Sequence, residues 1–166
     1  MKFLRFFSIL PVAISVISSA QTSPSLNISA NGISNLQRKI GPHELTVTFT
    51  THETKTPDRT SQFPFDWASV CTGSRNPCVL LDNLRIQIDH RDLFVARSSY
   101  ADCSDLNTAA ATSKDGIYSL VLSGGDASES YMVILRFSND HLIDRVLIAG
   151  EDTSHIVEKT TYNLMH

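Results

Sequence analysis

The chain has 166 residues, with 14 Lys and Arg against 17 Asp and Glu, and a formal net charge of −3. That length suits one domain, and 42% hydrophobic with 19% charged residues is the composition of a folding chain, not a disordered one. The mild acidity argues against a polyanion-binding surface, so nucleic acid is not an expected partner.

Residues 1–20 read MKFLRFFSILPVAISVISSA. Lys2 and Arg5 supply a positive start, Phe6 to Ile17 an apolar run, and Ser18-Ser19-Ala20 the small residues that a signal peptidase reads. The spacing predicts a secretory signal peptide cleaved before Gln21. Its apolar run is about a dozen residues, short of the roughly 20 that a membrane-spanning helix needs. The expected product is periplasmic or secreted and not inserted in a membrane. Without the leader, 146 residues remain, with 12 basic against 17 acidic side chains and a net charge of −5.

Export implies an oxidising compartment, where cysteines pair. Cys71 and Cys78 flank Thr-Gly-Ser-Arg-Asn-Pro, a run of turn formers, so the short loop is the favoured disulfide. Bridges from either of them to Cys103 are the alternatives. Cys103 is otherwise read as a buried small apolar residue. No CxxC or paired-His spacing accompanies the thiols, so neither a metal nor a cofactor is expected.

Residues 21–43 are rich in Ser and Asn and read as a loosely ordered lead-in, ahead of a single β-rich domain over 44–166. Leu45, Val47 and Phe49 then alternate with Thr46, Thr48 and Thr50, the two-residue period of a half-buried strand. Phe63-Pro64-Phe65-Asp66-Trp67 reads as a hydrophobic plug over a sheet end, or, with Trp67, as an aromatic lip against a ligand. Leu84, Ile86 and Ile88 alternate again, and His90-Arg91-Asp92 turns the chain into Leu93–Ala96. Residues 98–106 are the best place for a short helix, with Ser98 or Ser99 as cap and Asp102 in the first turn. Asp115-Gly116 predicts a two-residue hairpin between Thr108–Thr112 and Ile117–Leu122. Strands at 131–137, 142–149 and 155–162 follow, separated by Asn139-Asp140 and Gly150-Glu151-Asp152. The expected fold is mainly β, with α+β as its neighbour: an antiparallel meander sheet or small sandwich with one short helix.

Chemistry-bearing patterns are sparse. Gly124-Gly125-Asp126-Ala127-Ser128-Glu129 can aim the oxygens of Asp126 and Glu129 at a ligand, or form a β-connection that satisfies its own backbone. Arg136, Arg145 and Glu158 interrupt apolar strands. On neighbouring strands they form either a row that binds a partner or structural bridges, and the reading places all three in one region of the sheet. The six His fall at no metal-ligand spacing, and no catalytic residue is nominated.

The run Leu93–Asp102, with Leu106, Gly124–Tyr131, Arg145, Glu158, Thr161 and Tyr162, resembles a group of small exported bacterial proteins of uncharacterised function. The resemblance covers the C-terminal half. It implies export in a bacterium and places those positions in one sheet, and it supplies no activity. The resulting expectation is a non-catalytic binding or interaction module of the bacterial envelope, with Trp67, Asp126, Glu129, Arg136, Arg145 and Glu158 as contact residues and an envelope protein or cell-wall ligand as partner. The alternatives are a small extracytoplasmic hydrolase, and an inhibitor or immunity-type partner of a secreted enzyme.

Overall fold

The computed structural model describes residues 24–55, 71, 76–150, 152 and 154–163. Ten strands run in chain order: β1 (Leu26–Asn27), β2 (Gly32–Ile40), β3 (His43–Thr54), β4 (Cys78–Ile88), β5 (Arg91–Leu93), β6 (Leu106–Lys114), β7 (Ile117–Gly124), β8 (Tyr131–Phe137), β9 (Leu142–Ala149) and β10 (Ile156–Thr161). They form two antiparallel sheets, one ordered β1-β6-β7-β8-β9-β10 and the other β2-β3-β4-β5. The fold is mainly β, a sandwich of two meanders.

Alternation decides which side chains the sandwich encloses. Leu45, Val47 and Phe49 of β3 are completely buried. They share one core with Ile86 of β4 and with Leu120, Leu122, Val133, Leu135 and Phe137 of the other sheet. Each such side chain contributes about 1.5–3 kcal/mol on leaving water, and the thick apolar layer holds the two sheets together. Tyr118 stacks on Phe137 within it, ring centroids 5.4 Å apart.

The hairpin turns follow local chemistry. Asp115 and Gly116 both adopt positive φ, +53° and +78°, between the paired residues Lys114 and Ile117. This is the backbone of a two-residue turn whose twist matches its strands. The β4–β5 turn uses the same device at Asp89 and His90, one residue earlier than the expected His90-Arg91-Asp92.

Two expectations change. Gly32–Ile40, read as part of a loose lead-in, is a nine-residue strand paired to β3 along its whole length. Its inner face carries Ser34 and Arg38 beside Leu36, and those polar residues disguise the alternation. The helix expected over 98–106 is a single 3₁₀ turn at Arg97–Ser99. Long-range bonds pull the rest of that segment straight. Asp105 N–H donates to the Val79 carbonyl (2.6 Å), its carboxylate accepts from Val79 N–H (2.8 Å), and Ser104 bridges Leu80. The segment is therefore the crossover from β5 in one sheet to β6 in the other, pinned against β4.

Candidate functional site

Arg145 lies on the inner face of β9, opposite Leu135 of β8, with only 2% of its surface exposed. A buried guanidinium requires partners for its fork of donors. Nε donates to the Ser99 carbonyl (3.1 Å), Nη1 to Glu158 Oε1 (3.1 Å) and Nη2 to Asp102 Oδ2 (2.5 Å). Burial opposes its charge, but Asp102, Cys103 and Glu158 outweigh that, and its pKa is raised. Glu158 also accepts from Thr160 Oγ1 (2.7 Å), and this bond together with Arg145 lowers its pKa. Arg145 thus clamps the crossover and the edge strand β10 onto β9.

Arg136 does not join this group. It follows Leu135 by one residue and so projects from the opposite face, where its guanidinium grips the buried Asp144 of β9 in a two-pronged pair. The expected single row of Arg136, Arg145 and Glu158 is two separate bridges on two faces. The resemblance-based grouping into one sheet divides as well: Gly124, Tyr131, Arg145 and Glu158 share the six-stranded sheet, whereas Leu93 belongs to the other.

The Gly124-Gly125 loop serves packing. Gly124 faces Tyr131 across β7 and β8, and a Cβ there would stand 2.5 Å from the Tyr131 hydroxyl. That hydroxyl donates to the Ser104 carbonyl (2.5 Å), and burial drives its pKa upward. Gly125 has φ +75°, and a Cβ on it would meet the Glu129 carbonyl at 2.2 Å. Asp126 is exposed, and its carbonyl accepts from Glu129 N–H (2.8 Å) in a 3₁₀ turn over Ala127–Glu129. Trp67 and the aromatic run around it lie outside the described residues.

A disulfide joins Cys71 and Cys78, Cα atoms 5.7 Å apart, and Cys103 is a buried free thiol. Burial pushes that thiol up to about 12, and the nearby Asp102 adds to the shift.

Sequence reasoning missed three features that depend on the fold. Two His–Asp pairs form across strands: His43 Nδ1 with Asp89 (2.6 Å) and His52 Nδ1 with Asp82 (2.7 Å). Asp89 also accepts from Glu44 N–H (2.9 Å), and that bond, then His43, lowers its pKa. A Ser–His contact joins Ser138 Oγ to His141 Nδ1 (3.1 Å), but the same oxygen accepts from Asp140 N–H (3.2 Å) and His141 N–H (3.3 Å). Those contacts make Ser138 the cap of the β8–β9 turn.

The third feature is a cleft of about 230 Å3 lined by Phe94, Ala96, Asp140, His141, Leu142 and Tyr162, with Asn163 at one side. Phe94 stands 83% exposed at its rim. Tyr162 connects the cleft to the clamp: it shares a hydrogen bond with the Ser99 side chain and lies in the field of Arg145. Only the exposed aromatic type was a signal in the sequence, and Leu93-Phe94-Val95 reads there as an ordinary apolar run.

No protein-family model, curated protein or solved structure matches this chain. Among the described residues no helix is long and apolar enough to cross a membrane, and no three His, Cys, Asp or Glu gather as a metal site.

Proposed function

We propose that the protein is an exported, non-catalytic interaction module of a bacterial envelope, and that it takes an anchoring side chain of a partner protein into the Phe94 cleft. The observation that carries this reading is Phe94 itself, a large apolar ring left 83% in water beside a cleft with Leu142 and Tyr162 in its walls. Exposed apolar rings next to concave apolar surface mark interaction sites. At about 230 Å3 the cleft is below the roughly 300–1,000 Å3 of small-molecule sites, and it suits one protruding group. Buried anchor residues of that kind dominate protein interfaces. The leader sequence and the Cys71–Cys78 disulfide support an oxidising, extracytoplasmic setting.

An inhibitor or immunity-type role is the special case in which the partner is a secreted enzyme. The hydrolase alternative has the weaker support, because Ser138 Oγ, the hydroxyl closest to a histidine ring at this cleft, is already committed to two backbone N–H groups. Affinity capture from envelope extract should retain a defined protein on the wild type. Phe94→Ala should retain at least tenfold less while keeping the same circular dichroism. Equal retention by both forms rejects the cleft as the contact.

A further inference from the structure

The four sheet edges are treated unequally. β1 is two residues long, and β5 is three, with exposed Arg91 and Asp92. β10 carries a bulge at Val157, between the pairs Ile156–Ile148 and Glu158–Leu147, followed by Glu158 and Lys159. Short length, bulges and charge are the devices that keep an edge from pairing with another chain. β2 has none of them over most of its length. It runs nine residues in unbroken register, its charges are confined to Arg38 and Lys39 near one end, and Ile33 is 65% exposed. Among the described residues no strand pairs with its outer side.

Hydrogen-bond parity identifies the groups that this edge offers. Ile40 and His43 close a two-residue turn, so they and every second pair from there exchange backbone bonds between β2 and β3. Glu44 confirms the phase, because its N–H and C=O are taken by Asp89 on the β4 side. Ile33, Asn35 and Gln37 therefore aim N–H and C=O outward, a three-residue ladder without a charge.

We infer that β2 pairs antiparallel with β2 of a second copy about a two-fold axis through Asn35, joining the two four-stranded sheets into one of eight. The axis sets Asn35 against its own copy and Ile33 against Gln37 of the second copy, all residues of the outward phase, so the backbone bonds are made in register. It brings no like charges together. Each Lys39 arrives opposite the other copy's Asn31, whose amide donates to the Glu53 carboxylate (2.8 Å), so a positive end meets a negative one. The Phe94 cleft follows β5, at the far edge of the same sheet. The dimer thus presents two clefts facing away from its axis.

Sedimentation equilibrium of the purified protein from micromolar to millimolar concentration should show reversible doubling of mass. Asn35→Pro removes an outward N–H that the β2–β3 ladder does not use, and it should weaken dimerisation at least tenfold with an unchanged far-ultraviolet spectrum. Because a proline can also disturb folding, a second variant reads the register directly. Asn35→Cys places two thiols across the axis within disulfide reach and should cross-link under mild oxidation, whereas Gln37→Cys should not. A monomer at every concentration overturns the inference, leaving the edge to a different chain or to water. Equal cross-linking at positions 35 and 37 overturns it too.

Discussion

Arg145 and Asp102 lie 43 residues apart in sequence and meet at 2.5 Å, joining the inner face of one sheet to the segment that crosses between sheets. The pair is asymmetric, since the Arg145 side chain is 2% exposed and the Asp102 side chain 50%. Truncating each partner should therefore cost different amounts. Arg145→Ala opens a cavity and leaves the Ser99 carbonyl without its donor, at about 3 kcal/mol. Asp102→Ala leaves Arg145 bound to Glu158 and Ser99, and solvent already weakens the lost contact, so about 1 kcal/mol is expected. Urea denaturation of both variants measures the ratio. Equal losses would show that the crossover, not the buried guanidinium, dominates the clamp.

Acid should unfold the protein partly through Asp89. Its folded-state pKa is lowered by the Glu44 N–H and then by His43, below the unfolded value of about 3.9. Between those two values the unfolded chain binds the proton first, so stability falls as pH falls. The contribution is complete above the unfolded value and is lost as pH drops through the folded one. Asp89→Asn should flatten the loss of stability below about pH 4 relative to wild type, as followed by thermal melts across an acid series. An unchanged acid limb assigns it to other carboxylates, such as Glu158.

The sequence displays most of this sandwich because most of it obeys two-residue alternation. Leu45, Val47 and Phe49 predict β3, and 142–149 coincides with β9. Asp115-Gly116 marks its hairpin because that dipeptide tolerates the positive φ that the turn demands. β2 was hidden because an edge strand can carry Arg38 and Ser34 on its inner face. The crossover was hidden because local capping by Ser98 or Ser99 competes with Val79 and Arg145, partners 26 and 46 residues away in sequence. Arg145 and Glu158 were visible as charges in apolar strands. Asp102 was not, because register predicts cross-strand neighbours but not where a connecting segment will lie. The Phe94 cleft depends on a β5 end, a β8–β9 turn and a β10 end meeting, and no local pattern encodes that.

Gly124 and Tyr131 should behave as one unit. Gly124→Ala pushes a methyl group to 2.5 Å from the Tyr131 hydroxyl, so the ring must leave its place over β7. The expected cost is about 2–3 kcal/mol. Tyr131→Phe keeps the ring but strips the Ser104 carbonyl of its donor, about 1–2 kcal/mol. The double variant should cost less than the two singles added together, because once the ring is displaced its hydroxyl has no bond left to lose. Additive losses from a double-mutant cycle by chemical denaturation would place the alanine strain elsewhere.

The three cysteines give a prediction that a single reagent can read. Cys103 is 1% exposed, and burial raises its pKa to about 12, so little thiolate forms in the folded protein at neutral pH. A thiol-selective alkylator should therefore leave the native protein unlabelled. In denaturant without reductant it should add one label, at Cys103. After reduction in denaturant it should add three, because Cys71 and Cys78 are released only then. Closing a loop with a sequence separation of 7 contributes about 2–3 kcal/mol in the chain-entropy model, so the Cys71→Ala, Cys78→Ala variant should unfold at correspondingly lower urea. Peptide mass mapping locates each label. Modification of Cys71 or Cys78 in the unreduced, unfolded sample would contradict the bridge, and rapid native labelling of Cys103 would contradict its burial beneath the crossover.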